Sequence, residues 1–428
     1  MSADSILCLP QELTDTVIDE LSDDIPALKS CALAARTFVA PTRRHIFKKI
    51  ELTPPKGESS SPCQRFLELL TEGPHIVPLI EELCIVLAGT SCDVDYYDHS
   101  PGTRRPTPET SGHWMVEAAG AMALILSRLA YLTRISLVEN GFVYGQRLKW
   151  NDMGQPLQSA LEGVFSSPRL QAVRLRGIYF HSATQLFSLF SESTSIEEIS
   201  LARVGFTSST RFDESDPRPW RCPQLRALVL ASDHLTFDSM WGYLLDGQND
   251  LANLASLTLV VENIMMPQSM EVIAYYMPRA KCRVQTLRIR CGESLGGAKF
   301  PQSIFNPNLR FIHLSAPYLE TLSSFFKSVS EESPALETIT FENSATKFRP
   351  CSYTPLQDSF TAQALVHLPS LKAVEVRYMS WPASTEFAPP FSKWADWVRK
   401  SFPSLVERNL LHVVECRIPD RGLGHSFE

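Results

Sequence analysis

The sequence predicts an α/β chain: a short helical head followed by a long array of strand–turn–helix–turn units, each packed on the next. Three observations predict it. A triplet of the form apolar-x-x-apolar-x-apolar returns along the chain at a nearly regular interval. Amphipathic, helix-like stretches lie between its copies. Ahead of the regular copies, the residues before position 52 carry apolar residues at helical spacing. At 428 residues the chain is long for one compact domain, but an array escapes that limit because each unit touches only its neighbours.

The head is expected over residues 7–52. Pro10 suits a first helical position, where its fixed φ and missing N–H cost nothing, and Leu9, Leu13, Val17, Ile18 and Leu21 follow at helical spacing. Ser22-Asp-Asp24 ends that stripe with N-cap chemistry, Pro26 fits the first turn of a second helix, and Leu28, Cys31, Ala32 and Leu33 form its apolar face. A third segment carries Phe38, Ile46, Phe47 and Ile50. So short a module buries too little core to stand alone and needs a partner. Residues 53–62, rich in Pro and Ser, read as a polar linker.

The array is expected over residues 63–416, with copies of the triplet starting at Ile80, Leu132, Leu170, Ile196, Leu225, Leu254, Val284, Leu309, Leu336 and Leu371. From Leu170 onward successive copies lie 25 to 35 residues apart. Helix-like stretches fall at 63–71, 156–165, 183–190, 239–245, 269–277, 319–329 and 360–366. Such a unit cannot bury its apolar face alone, so stacked units share one core and form a curved solenoid. Polar insertions near 88–112 and 207–221 read as surface loops. A helix with Trp394 and Trp397, then a last strand, caps the array, and residues 417–428 are expected to fray.

Between the last two apolar residues of a triplet stands a polar one in most copies: Ser136, Arg174, Ser200, Thr258, Arg288, His313, Thr340 and Glu375. One strand face is therefore wet, which favours a solenoid over a closed (β/α)8 barrel, whose strands are buried on both sides. In a solenoid Arg174, Arg176, Arg288, Arg290, His313 and Arg377 would line the concave face, where a target binds; guanidinium forks suit acidic or phosphorylated groups.

Little in the chain points to chemistry. The 10 cysteines show neither Cys-x-x-Cys spacing nor disulfide density, which suits a reducing compartment. An apolar fraction of 44% with 20% charged residues describes a folded, water-soluble chain, and no apolar run is long enough to span a membrane. Asp93, Asp95 and Asp98 lack the glycine and closing glutamate of a calcium loop, and the glycine-rich 292–297 stretch lacks the Lys-Ser/Thr of a phosphate loop. No nucleophile motif such as Gly-x-Ser-x-Gly occurs, although a triad can assemble in space. Arg43-Arg-His and Lys48-Lys read as a solvated helix face, given the acidic residues before position 25 and a net charge of −7. No cofactor, metal, nucleic acid or membrane is expected.

Two resemblances give these readings a function. Leu9-Pro10-x-Glu12-Leu13, Ile18, Leu21 and the Leu28-Lys-Ser-Cys-Ala-Leu33 run resemble an F-box, in the form found in mushroom-forming (basidiomycete) fungi. Phe38 stands where that family usually has Trp, and Ala34-Ala35 replaces a Val-Ser-like pair. The array resembles a degenerate leucine-rich repeat; the Leu132 copy reaches an Asn at position 140, which the other copies mostly lack. The F-box resemblance implies docking on a Skp-type adaptor, and through it on a cullin ligase, by Leu9, Pro10, Glu12, Leu13, Ile18, Leu28, Leu33 and Phe38. It implies a non-catalytic substrate-recognition subunit in the cytoplasm or nucleus, with an unknown protein target held on the repeats. The alternative is a leucine-rich-repeat interaction scaffold that recruits no ligase.

Overall fold

A computed structural model describes residues 10–55, 61–87, 113–139, 148–207, 222–232, 236, 239–240, 243–244, 251–261, 283–291, 306–315, 325–326, 329, 333–344, 355–380 and 390–417. The described chain is α/β, with a large parallel sheet and helices between its strands, and divides into two compact units, residues 1–173 and 174–428.

The first unit begins with α1 (Gln11–Asp19), α2 (Ile25–Ala34) and α3 (Arg36–Lys48). Pro10 precedes the first helix, and the Asp24 carboxylate caps the second by accepting from the Ala27 N–H at 2.9 Å. The third helix packs on both others, and His45 Nε2 lies 2.7 Å from Asp19 Oδ1, tying its end to that of α1. It stops at Lys48, and Lys49–Leu52 forms strand β1, so Ile50 belongs to the sheet and not to the helical head. The expectation of a third helical segment through Ile50 fails because apolar spacing alone does not separate a helix end from a strand start. Half of the expected linker, residues 56–60, lies outside the described residues.

β1 pairs in parallel with β2 (Glu82–Val86), and β2 with β3 (Arg134–Val138). Three helices, α4 (Pro62–Glu72), α5 (Trp114–Glu117) and α6 (Ala119–Arg128), come before β3. A two-residue strand, β4 (Leu148–Lys149), and α7 (Gln155–Phe165) follow it; α6 packs on both α4 and α7. The chain leaves this unit through β5 (Ala172–Arg176).

The second unit continues with β6 (Ile178–Phe180), α8 (Ala183–Ser188), β7 (Glu198–Ala202) and β8 (Gly205–Phe206). Then come β9 (Ala227–Ser232), β10 (Ser256–Val261), β11 (Thr286–Cys291), β12 (Phe311–Ser315) and β13 (Thr338–Ser344). The described chain closes with α9 (Pro355–Val366), β14 (Ala373–Ser380), α10 (Phe391–Ser401), α11 (Pro403–Glu407) and β15 (Leu411–Arg417). From β7 through β9 to β15 each strand pairs in parallel with the next. A barrel would return its last strand to an early one, whereas β15 pairs only with β14 among the described residues. The helix-like stretch at 269–277 lies wholly, 319–329 largely and 239–245 in part outside the described residues.

All ten triplets fall at these strands, and each of their side chains is 8% exposed or less. One hydrogen-bond motif repeats with them. A single carbonyl ahead of most strands of the large sheet accepts N–H groups from two successive residues of the next copy. Thus Glu197 O takes Arg226 and Ala227, Ala255 O takes Gln285 and Thr286, and Glu337 O takes Lys372 and Ala373. The repeat of sequence is thereby a repeat of backbone bonding, which fixes the register from unit to unit.

A second parallel pair, β6 with β8, was not expected: strands of two or three residues are too short for alternation to show. Gly205 is required there, since a Cβ would collide with the Tyr179 ring lying against it. Among the described residues no helix is long and apolar enough to cross a membrane.

Candidate interaction surfaces

Two surfaces hold the residues singled out in the sequence. The first is the helical head. Its buried side chains are Thr14 and Ile18 on α1, Leu28 on α2 and Thr42 on α3. Ile18 and Leu28, expected to touch an adaptor, are 1% and 0% exposed and are turned into the interior. That corrects the expectation: one apolar stripe serves two purposes, and spacing does not tell which side chain turns inward. Pro10 and Glu12 are exposed, Phe38 is half-buried, and Leu9 lies outside the described residues. Leu13 is 53% exposed, Val17 52% and Leu33 90%, with Ile25 also in water. The head therefore presents several large apolar side chains on a module with a very small core.

The second surface is the face of the unit-two sheet opposite the buried triplets. Strand register arranges its side chains in two rows. The first runs Ser200, Val229, Thr258, Arg288, His313, Thr340, Glu375 and His412 across successive strands. The second, two residues further along each strand, runs Ala202, Ala231, Val260, Arg290, Ser315, Glu342, Arg377 and Val414.

Glu342 is the hub of the later strands. His313 Nε2 lies 2.9 Å from its Oε1, Ser315 Oγ donates to its Oε2 at 2.7 Å, and Arg377 Nη1 stands 3.7 Å away. Burial pushes the Glu342 carboxyl up, but the His313 imidazole close beside it, the Ser315 hydrogen bond and the charges of His313 and Arg290 outweigh it and leave the group at about 2. Arg377 also donates through Nε to Glu375 Oε1 at 2.7 Å, which raises its own pKa. Of the arginines expected to meet a target, Arg377 is thus engaged by carboxylates of its own sheet. Arg176 is 4% exposed and cannot present its guanidinium to a partner in this conformation. His313 is committed to Glu342. Arg174 is half-buried, Arg288 exposed and Arg290 half-buried.

Where the strands begin there is a further charge ladder. Glu337 binds Lys372 at 2.7 Å and also pairs with Arg310; both hydrogen bonds lower its pKa, Lys372 most. Arg226 and Glu197 stand 4.0 Å apart at the equivalent position of earlier copies. These pairs stitch neighbouring copies together at the surface.

Nucleophile chemistry finds little footing in the described thiols. Burial pushes Cys63 up to about 11 and Cys222 up to about 12, so both stay protonated at neutral pH. No group of three His, Cys, Asp or Glu side chains comes together as a metal site among the described residues. Asp93, Asp95, Asp98, the 292–297 stretch and the Asn at position 140 lie outside them.

The Glu342 cluster escaped the sequence reading, yet a signal existed. Aligning the triplets puts Arg290, Ser315, Glu342 and Arg377 at the same offset, six residues after each start, which makes them neighbours across the sheet. No protein-family model matches the chain, and no curated protein matches it either.

Proposed function

We propose that the protein is the substrate-recognition subunit of a Skp/cullin/F-box-type ubiquitin ligase, with an F-box at its head and a curved leucine-rich-repeat-like solenoid after it. The head docks a Skp-type adaptor; the repeat face holds a protein target within reach of another subunit's chemistry, raising its effective concentration. It catalyses nothing itself, requires no cofactor, and works in the cytoplasm or nucleus. The observation that supports this reading best is the exposure of Leu13, Val17 and Leu33 on a head that follows the Leu-Pro-x-Glu-Leu pattern. Apolar side chains held out of a minimal core form a surface a partner can cover.

The test is co-purification of the full chain with a basidiomycete Skp-type adaptor, comparing wild type with Leu13→Asp, Leu33→Asp. The proposal expects a stable wild-type complex that the double variant loses. A folded wild-type chain that binds no adaptor would leave the alternative, a repeat scaffold without ligase recruitment.

A further inference from the structure

Most of the cations expected on the repeat face are already spent on the sheet's own carboxylates or buried, and two stand apart. Arg288 stands in the first row, and Arg174, on β5 beside β7 and at the same offset after its triplet's start as Ser200, extends that row by one strand; it stays accessible between them, since Ser200, Val229 and Thr258 are all half-buried. No ion pair or hydrogen bond engages the guanidinium of either arginine among the described residues. The strands that carry them follow in the order β5, β7, β9, β10, β11. Neighbouring strands lie about 4.8 Å apart, so the two cations stand roughly 19 Å apart with small, weakly polar side chains between. The second row offers no rival site beside them, since Ala202, Ala231 and Val260 are each 6% exposed or less.

We propose that this row is the target-binding site, and that its occupant is an extended protein segment carrying two anionic side chains, acidic or phosphorylated, one for Arg174 and one for Arg288. An extended chain advances about 3.3 Å per residue, which puts the anions about six residues apart, with room only for small side chains over Ser200, Val229 and Thr258. The segment lies across the strands, so spacing and charge decide the choice of target together. This deepens the substrate-capture half of the proposed function and rests on it, while adaptor docking plays no part in it.

The experiment measures binding of fluorescein-labelled peptides to the full chain by fluorescence anisotropy. Each peptide carries two phosphoserines separated by two, five or eight Gly, Ser or Ala residues. The site predicts tightest binding for five intervening residues, at least a tenfold loss with Arg174→Glu or Arg288→Glu, and little change with Arg377→Gln. Equal affinity at all three spacings, no binding of any peptide, or no effect of the two reversals would overturn it. Because the assay contains no adaptor, a negative result here leaves the co-purification test of ligase recruitment unaffected.

Discussion

The strands and the head bury apolar side chains to very different degrees. In the array all three side chains of every triplet lie inside, Leu257 and Leu287 completely. In the head, Leu13 and Leu33 stand in water while Ile18 and Leu28, from the same helices, are inside. The array completes its core with its own neighbours, as stacked units must. The head cannot do so, because three short helices enclose little volume, and large apolar side chains are left in water. An exposed leucine thus has opposite meanings for stability and for binding.

The sharpest way to break that comparison is to cut into the array. Leu287→Ala removes a fully buried side chain from the middle of the sheet and is expected to cost about 2–5 kcal/mol, read as a lowered midpoint of urea unfolding. A loss well under 1 kcal/mol would mean the array packs loosely enough to collapse around the cavity.

Gly205→Ala comes next. The added Cβ meets the Tyr179 ring and forces it or the strand to move, a cost of about 1–3 kcal/mol that Tyr179→Ala in the same chain should partly relieve. The comparison is a double-mutant cycle in thermal unfolding, and additive effects would count against the contact.

Glu342 gives a pH-dependent contrast. Its folded pKa of about 2 lies below the ordinary value of 4.5, so its contribution is fully present above pH 4.5 and disappears as pH falls from there toward 2. By the linkage relation that contribution is on the order of 3 kcal/mol. Glu342→Gln should therefore flatten the fall in stability between those pH values while destabilising the chain at pH 7. An unchanged acid profile would remove Glu342 from its place as the hub. The smallest expected effect is at Asp24, where loss of the cap to Ala27 in Asp24→Ala should cost about 1 kcal/mol, seen as a small drop in thermal midpoint.

The same comparison explains what the sequence made legible. The strands could be read because the triplet repeats, and a repeated interval is a signal that no single copy supplies. Side-chain direction within the head could not: Leu13, Val17 and Ile18 share one helical stripe, yet Ile18 turns inward while Leu13 stays out. The arginines were legible as residues of one sheet face and illegible as free or engaged, since Glu342 reaches Arg377 across a register between strands 35 residues apart in the chain. Arg176 alternates toward the open face yet is buried, which alternation alone does not reveal.

The most direct test of the central claim is the stability of Leu13→Asp, Leu33→Asp beside Leu287→Ala, each unfolded in urea without any partner. The account predicts that the head variant unfolds within about 0.5 kcal/mol of wild type, as substitutions at free surface do, while Leu287→Ala falls by several kcal/mol. A head variant as destabilised as the core variant would show that the exposed leucines belong to the fold itself, and the surface assigned to a partner would not exist.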